Sequence, residues 1–360
     1  MAVAFDYLSN PHSASRVKAR DPYVDAVRGF AILLVVLGHA IQYTTHGYDD
    51  IFLFRAIYSF HMPLFMFISG FVLLRGVQKD PFPIFLKKKS LHLLVPFFSW
   101  YFLFHYLLRG GFRTTGLKEY AIRLAQSPES GLWFLWVLFL CSLLLFATIR
   151  LYPHSAALNV LIATLLVFTT KHFTEISVFG FERLLWYLPF VFAGYLANAY
   201  EAQLRRFRWP LFAAALLIYP LFVGYWRGLD PPNIMAVLQA FHHGQDLIIL
   251  GYRYLTAFSG IALSFLFVGA LQKAVVFSWL VWFGKYTIDI YAIHLLFLSI
   301  LGYVADTGYN LTVVVITFIL SLSLALATSF LVLRPCKPLA LLFLGSPARG
   351  PRLGKRLRCS

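Results

Sequence analysis

One apolar stretch decides the fold: Tyr23-Val-Asp-Ala-Val-Arg28-Gly-Phe-Ala-Ile-Leu-Leu-Val-Val-Leu-Gly-His39-Ala40. In an α-helix, Arg28 and His39 return to nearly the same side of the axis, about 16 Å apart. Ionisable side chains inside a bilayer are costly, and each one therefore marks a candidate functional site. The stretch predicts a membrane-spanning helix with Arg28 at its cytoplasmic mouth and His39 deeper on the same face. The alternative is a histidine that only packs helices, with an arginine that only orients the span.

The composition is that of a membrane protein. Of the 360 residues, 60% are hydrophobic and 13% are charged, and the mean hydropathy is +0.73. Apolar runs long enough to cross about 30 Å of hydrocarbon recur along the chain, which predicts an all-α polytopic membrane protein with about ten transmembrane helices. The predicted spans are Arg28–Thr45, Phe52–Leu74, Leu91–Leu108, Leu132–Ile149, Ala156–Thr170, Leu184–Ala199, Pro210–Tyr225, Tyr254–Leu271, Tyr286–Val304 and Leu311–Leu333.

The net charge is +16, and the placement of the basic residues agrees with the predicted topology. Most lysines and arginines fall in segments on one side if both termini are cytoplasmic, as the positive-inside rule requires. The excess charge would then orient the chain and attract anionic membrane lipids, and nucleic acid is not an expected partner. We predict a cytoplasmic tail at 1–27, a transmembrane domain at 28–333 and a basic cytoplasmic tail at 334–360.

The second predicted span carries another intramembrane histidine. Its sequence is Phe60-His61-Met62-Pro63-Leu64-Phe65-Met66-Phe67-Ile68-Ser69-Gly70-Phe71, which places His61 near the depth of His39. Pro63 should kink the helix, and the pair Ser69-Gly70 permits a close approach of another helix. A kinked packing helix explains these small residues and the proline, but it does not explain a second histidine at that level.

Further candidates lie in three other segments. Lys87, Lys88 and Lys89 precede His92 at the inner end of the third span, where cations either stop membrane transfer or hold the phosphates of a nucleotide-bearing donor. Asp289 and His294 lie within the ninth span. The alternative to a functional role is a salt bridge for Asp289 and a tertiary hydrogen bond for His294. Trp133 opens the fourth span, where an aromatic belt is the alternative to a binding role. The pair His242-His243 lacks a third ligand at suitable spacing, so no metal site is expected.

Together these segments resemble the acyltransferase family 3 membrane enzymes. The similarity rests on Asp25-Ala-Val-Arg28-Gly with His39, and on the block from Phe60 to Phe71. It extends in the same order through four further stretches: Lys89–Pro96, Leu132–Phe134, Tyr187–Gly194 and Tyr286–His294. Within the family, His-Met-Pro-Leu-Phe and Val-Val-Leu-Gly-His are similar to the fucose 4-O-acetylase branch, which includes the nodulation acetylases of rhizobia.

The resemblance implies an enzyme of the bacterial inner membrane that needs no bound cofactor. It would transfer an acyl group, usually acetyl from cytoplasmic acetyl-CoA, to a sugar hydroxyl of an exported glycan, with fucose on a lipo-chitooligosaccharide as a candidate acceptor. His39 would be the general base, and Arg28 would anchor the donor. The donor would also contact Lys87, Lys88, Lys89 and His92, although the family usually has two arginines three residues apart where Lys89 and His92 stand. The acceptor side would comprise His61, Trp133, Asp289 and His294.

Two other functions fit a polytopic chain with intramembrane histidines. One is a transporter of glycans or lipid-linked sugars, but such proteins often repeat a broken helix in each half, and Pro63 and Pro189 stand in dissimilar contexts. The other is a non-catalytic subunit of a glycan-synthesis complex. The acceptor itself would be recognised by the predicted outer loops, Arg109–Gly131 and Arg227–Arg253.

Overall fold

A computed structural model describes residues 21–104, 132–151, 180–228, 245–304 and 309–346, together with positions 118, 119, 122, 124, 158, 161 and 165. These residues are predominantly helical, and no strand occurs among them. The helices, in chain order, are α1 Pro22–Thr44, α2 Phe52–Tyr58, α3 His61–Lys79, α4 Phe82–Lys89, α5 Val95–Tyr101, α6 Trp133–Leu151, α7 Phe181–Ala199, α8 Glu201–Arg206, α9 Arg208–Val223, α10 Gln245–Ala270, α11 Val275–Lys285, α12 Thr287–Val304, α13 Leu311–Thr328 and α14 Lys337–Leu344.

Several of these helices are long and apolar enough to cross a membrane. Five candidates occur in the described part of the chain: Pro22–Thr44, Phe52–Leu73, Trp133–Leu151, Ile248–Ala270 and Leu311–Leu333. A sixth would consist of α11 and α12, which meet at a bend of 80°. The all-helical, multi-pass prediction is therefore confirmed, whereas the count of about ten and the cytoplasmic location of both termini stay predictions. Most of the predicted span Ala156–Thr170 and much of the two predicted acceptor loops lie outside the described residues.

The chain divides into two compact units. The first comprises Met1–Phe65 and Gln203–Ala325, and the second comprises Met66–Ala202 and Leu326–Ser360. Within the first unit α1 is the central helix, because it contacts α2, α10, α11 and α12. In the second unit α6 packs against α7, and α14 packs against α5.

Helix α1 begins earlier than the predicted span. The Asp21 side chain caps the helix by accepting a hydrogen bond from the Tyr23 backbone N–H at 2.9 Å, and Pro22 occupies the first turn, where a missing N–H costs nothing. Arg28 therefore lies inside the helix and not at its first residue. The helix continues through Thr44, so that Arg28 and His39 share one unbroken element.

Two glycines allow α1 and α11 to cross at backbone contact. A Cβ added to Gly29 would lie 1.8 Å from the Leu280 carbonyl oxygen, and one added to Gly284 would lie 1.8 Å from the Asp25 carbonyl oxygen. These distances are far below van der Waals contact, and the colliding atoms belong to backbone that cannot rotate away. This reciprocal pair, which we call the α1–α11 glycine crossing, fixes the depth and azimuth of α1 within the first unit.

The second unit contains a similar crossing between α3 and α7. An added Cβ at Gly70 would lie 1.9 Å from the Val191 carbonyl oxygen, and one at Gly194 would lie 1.9 Å from that of Phe67. The predicted role of Gly70 in close helix approach is thus confirmed. Asn198 adds a hydrogen bond from its side-chain amide to the Phe71 carbonyl at 2.7 Å.

Helix α14 lies within the segment predicted to be a basic tail. Its sequence, Lys-Pro-Leu-Ala-Leu-Leu-Phe-Leu, is mostly apolar, and the helix packs on α5. Trp100 donates its indole N–H to the Phe343 carbonyl at 2.8 Å. The helix ends at Gly345, whose φ of 65° belongs to the left-handed region that favours glycine.

The span that contains α2 and α3 is interrupted next to Pro63. Helix α2 ends at Tyr58 and α3 begins at His61, so the break falls just before the proline. Since Pro63 has no N–H, it cannot donate to the Ser59 carbonyl, one turn earlier. The interruption places Tyr58 and His61 on either side of a turn.

We expect Gly284→Ala to destabilise the purified full-length protein in detergent by at least about 1–3 kcal/mol, because the new methyl group overlaps the backbone of α1. The melting temperature should fall. Gly251→Ala is the matched control, since an added Cβ there meets no atom within 4 Å and alanine favours a helix. An unchanged melting temperature for Gly284→Ala would contradict the crossing.

Candidate active site

His39 lies in α1 with its Nδ1 atom held by two neighbours. Nδ1 is 3.0 Å from the Gln42 side-chain oxygen and 2.9 Å from the Tyr58 hydroxyl. The Tyr58 hydroxyl in turn donates to the same Gln42 oxygen at 2.7 Å. Three side chains from two helices therefore form a closed triangle of hydrogen-bonding atoms on one side of the imidazole.

Small and aromatic residues create the space in which Tyr58 reaches His39. A Cβ added to Gly38 would lie 2.7 Å from a ring carbon of Tyr58, so the glycine lets the tyrosine ring lie against α1. Phe54 stacks on Tyr58 with ring centroids 3.9 Å apart, and His39 meets the same ring edge-on at 5.9 Å. The Gly-His pair in the Val-Val-Leu-Gly-His sequence thus has a direct steric role.

Two further histidines surround His39 in the same unit. The His294 ring, from α12, lies 5.4 Å from that of His39 between centroids. The His61 ring, at the start of α3, lies 4.7 Å from that of Tyr58. The structure therefore brings His294 to His39, and His61 to the tyrosine that contacts His39; only His61 is predicted from the sequence to lie near the depth of His39.

His61 and His294 each use Nδ1 for a hydrogen bond to the backbone. His61 donates to the Ile57 carbonyl at 2.9 Å. His294 Nδ1 lies 3.0 Å from the Ile290 carbonyl and 2.8 Å from that of Tyr291. Because a carbonyl only accepts, Nδ1 carries the hydrogen in both rings, and the neutral rings keep their lone pair on Nε2.

His294 contains an unsatisfied acceptor. Its Nε2 is buried and has no hydrogen-bond partner among the described residues, and the residue is 0% exposed. A buried polar atom without a partner is costly and calls for a donor. The Ser321 hydroxyl holds the helix at this position by donating to the His294 backbone carbonyl at 3.1 Å.

The three histidines differ in solvent exposure, and this difference bears on which of them can contact a substrate. His61 is 3% exposed and His294 is 0% exposed, whereas His39 is partly exposed. Of the three, His39 has the most exposed side chain. This difference favours His39 as the group that exchanges a proton with a substrate.

Arg28 lies on the same helix as His39 and is partly neutralised by an acidic side chain. Its guanidinium nitrogen is 3.8 Å from an oxygen of Asp25, with 26% of the Arg28 side chain exposed and 3% of that of Asp25. Asp289 is buried, at 3% exposure, in the first turn of α12. Arg28 and Asp289 therefore both belong to the unit that contains His39.

The predicted donor-binding cations belong to the second unit and are partly engaged there. Lys88 pairs with Asp80 through both carboxylate oxygens, at 2.9 and 2.8 Å. The Lys89 ammonium lies 5.6 Å from the centroid of the Phe85 ring, whereas Lys87 is exposed. His92 donates from Nδ1 to the Gly345 carbonyl and so anchors the end of α14.

Trp133 also lies in the second unit, within an aromatic and cationic stack. It stacks on Tyr187 with centroids 4.9 Å apart and an interplanar angle of 25°. The Arg183 guanidinium lies 4.9 Å from the Trp133 ring centroid. These contacts orient the indole, and its predicted role toward the acceptor stays a prediction.

Sequence reasoning missed Gln42, Tyr58 and Asp80. Gln42 follows His39 by three residues in α1, and Tyr58 precedes His61 by three, a spacing that would place each pair on one face of an uninterrupted helix. That spacing was the available signal, but the meeting of the two faces is a tertiary fact. Within the described ranges, no group of three His, Cys, Asp or Glu side chains is arranged to hold a metal ion.

Comparison with known proteins identifies the family. Residues 21–334 match the model of the Acyl_transf_3 family, which is described as an acyltransferase domain. The chain is 34% identical over 139 residues to the nodulation protein NolL of Sinorhizobium fredii (strain NBRC 101917 / NGR234), a match that covers 37% of this chain and 38% of that protein. It is 31% identical over 131 residues to the nodulation protein NolL of Mesorhizobium japonicum (strain LMG 29417 / CECT 9101 / MAFF 303099), with 35% of each chain covered.

The matches to these two relatives span little more than a third of their length. No solved structure matches the chain. The family match, by contrast, extends from the cap of α1 to the end of the last candidate span and includes every predicted site residue from Arg28 to His294. The chain therefore belongs to the acyltransferase 3 family of membrane enzymes.

Proposed function

We propose that this protein is an O-acyltransferase of the bacterial inner membrane. It moves an acyl group, acetyl by expectation, from cytoplasmic acyl-CoA to a hydroxyl of a sugar in an exported or surface glycan. Fucose on a lipo-chitooligosaccharide nodulation signal is the specific acceptor that we propose, with support from the two nodulation proteins to which the chain is similar. The family match supports the reaction class.

One observation carries the proposal: His39 is partly exposed while its Nδ1 is held by Gln42 and Tyr58. An imidazole oriented through one nitrogen offers the other as a general base. His39 Nε2 takes the proton of the sugar hydroxyl as the sugar oxygen attacks the thioester carbonyl. The new C–O bond forms, the C–S bond breaks, and the CoA thiolate leaves and recovers the proton from His39.

The buried histidines support the acceptor in this scheme. His294 Nε2 lacks a partner among the described residues, and a second hydroxyl of the sugar would supply the missing donor once substrate entry displaces the protein atoms that cover this buried nitrogen. His61 contacts Tyr58 and would fix the ring that holds His39. Both are positioning residues, and Asp289 and Trp133 are assigned to the acceptor side on the family resemblance alone.

The donor would be held by cations. Arg28 shares a helix with His39 and would bind phosphate or pantetheine near the inner mouth of α1. Of the three lysines, Lys87 is exposed and Lys88 is already paired with Asp80. We therefore assign the larger share of phosphate binding to Lys87 and regard His92, which is bonded to Gly345, as a structural support of the same surface.

His39→Ala should lower acyl transfer by about 10²–10⁴-fold, the contribution of a general base, while the protein still reaches the membrane at normal levels. The measurement is transfer of radiolabel from acetyl-CoA to glycan in membranes that contain the full chain. His46→Ala, which removes an exposed histidine near the end of α1, is the matched control. A His39→Ala protein with more than a tenth of wild-type activity rules out the base.

His294→Ala and His61→Ala should each reduce acyl transfer by about tenfold, which corresponds to loss of one hydrogen bond worth about 1.4 kcal/mol. The reduction for His294→Ala should appear in the apparent KM for the acceptor and leave the KM for acetyl-CoA unchanged. Steady-state kinetics with each substrate varied in turn measure both constants. A loss as large as that of His39→Ala would contradict the assignment of His294 as a positioning residue.

Lys87→Gln should raise the apparent KM for acetyl-CoA about tenfold, because a charge-assisted contact to phosphate is lost. Lys88→Gln should raise it less, since Lys88 already has a carboxylate partner. Lys273→Gln makes the same charge change at another exposed lysine and is the control, with accessibility labelling to verify topology. If Lys87→Gln and Lys88→Gln both keep the wild-type KM for acetyl-CoA, as Lys273→Gln should, these two lysines only orient the chain in the membrane.

A further inference from the structure

The hydrogen-bonding triangle of His39, Gln42 and Tyr58 accounts for the proton position on His39. Tyr58 has one O–H, and it donates to the Gln42 side-chain oxygen at 2.7 Å. His39 Nδ1 then faces two oxygens, at 3.0 and 2.9 Å, neither of which has a hydrogen left to give it. The arrangement that satisfies all three contacts therefore has Nδ1 as the donor, which leaves the lone pair of the neutral ring on Nε2.

From this geometry we infer that Gln42 and Tyr58 are the residues that select the reactive tautomer of His39. The inference rests on the proposed function of His39 as general base. It assigns to Gln42 the task that a buried carboxylate performs in a serine-protease triad, where a wrong tautomer lowers kcat about 10⁴-fold. Tyr58 assists by directing its hydrogen at Gln42, away from the imidazole.

The surrounding structure holds the triangle in place from both helices. Gln42 is on the same helix as His39, one turn later, so its distance from the ring depends on the rotamers of these two side chains. Tyr58 is confined by Phe54 and by the absence of a side chain at Gly38. These contacts limit the movement of the Tyr58 ring relative to His39.

Removal of one partner of Nδ1 has a different effect on the ring tautomer depending on which partner is removed. Without the Gln42 oxygen, the Tyr58 hydroxyl turns to donate to His39 Nδ1, which moves the ring hydrogen to Nε2 and blocks the base. Without the Tyr58 hydroxyl, the Gln42 oxygen still accepts from Nδ1 and the reactive tautomer remains. Removing both leaves the tautomer unselected, which is less damaging than selecting the wrong one.

The test is a double-mutant cycle on acyl transfer by the full-length protein. Gln42→Leu should lower kcat by about 100-fold or more, and Tyr58→Phe by about tenfold at most. The double variant Gln42→Leu with Tyr58→Phe should regain about tenfold over Gln42→Leu alone. The KM values for acetyl-CoA and acceptor should stay near those of the wild type, since neither residue is assigned to a substrate.

A conservative variant supplies a second, independent readout. Gln42→Glu keeps an oxygen acceptor beside Nδ1, so kcat should remain within about tenfold of wild type. A carboxylate there favours the protonated ring, so the acid limb of the pH–rate profile should move to higher pH. Gln203→Leu, at an exposed helical position, is the matched control for Gln42→Leu, and melting temperatures report on folding.

The outcomes separate this inference from the proposed function. If His39→Ala is active, the base itself is wrong. If His39→Ala is inactive but the double variant is as slow as Gln42→Leu or slower, His39 remains the base and the tautomer inference is overturned. If Gln42→Leu fails to fold, an unshifted acid limb in Gln42→Glu overturns the inference on its own.

Discussion

The α1–α11 glycine crossing is the constraint on which the site depends. Gly29 and Gly284 bring two backbones to a separation that no side chain tolerates, and this leaves α1 little freedom to slide or rotate. The groups proposed around His39 are positioned by α1: Arg28, His39 and Gln42 are on this helix, and α2 and α12 pack against it. A shift of α1 would carry His39 away from Tyr58 and His294 together.

The groups around His39 are neutral, and their location in a membrane span, where lipid replaces water, explains why. A carboxylate would orient an imidazole more strongly than an amide oxygen, but an ionised acid in a membrane span is costly. An amide and a phenol supply the same directional information without that penalty. Two more histidines contact this group, and each donates from Nδ1 to a backbone carbonyl. The cluster is therefore built from neutral polar groups whose hydrogens have assigned positions, apart from the open acceptor of His294.

Periodic and compositional features were predictable from the sequence, and contacts between distant segments were not. The last predicted span, Leu311–Leu333, has the bounds of the candidate span in the structure, because its apolar run is uninterrupted. The predicted span starts later than α1, because the helix begins at the local cap formed by Asp21 and Pro22, before the apolar run. The pairing of Lys88 with Asp80 and of His92 with Gly345 required the fold of the second unit, and so did the helical packing of residues 337–344. Likewise, Gln42 and Tyr58 were overlooked because only the assembled helices make them neighbours.

The most direct test of the account is the protonation state of the His39 ring. Solid-state NMR of the full-length protein in lipid, with ¹⁵N-labelled histidine and a His39→Gln difference spectrum for assignment, distinguishes Nδ1–H from Nε2–H. The account predicts that resting His39 is neutral with its hydrogen on Nδ1, and that Gln42→Leu moves this hydrogen to Nε2. A resting His39 with its hydrogen on Nε2, or a tautomer unaffected by Gln42→Leu, would contradict it.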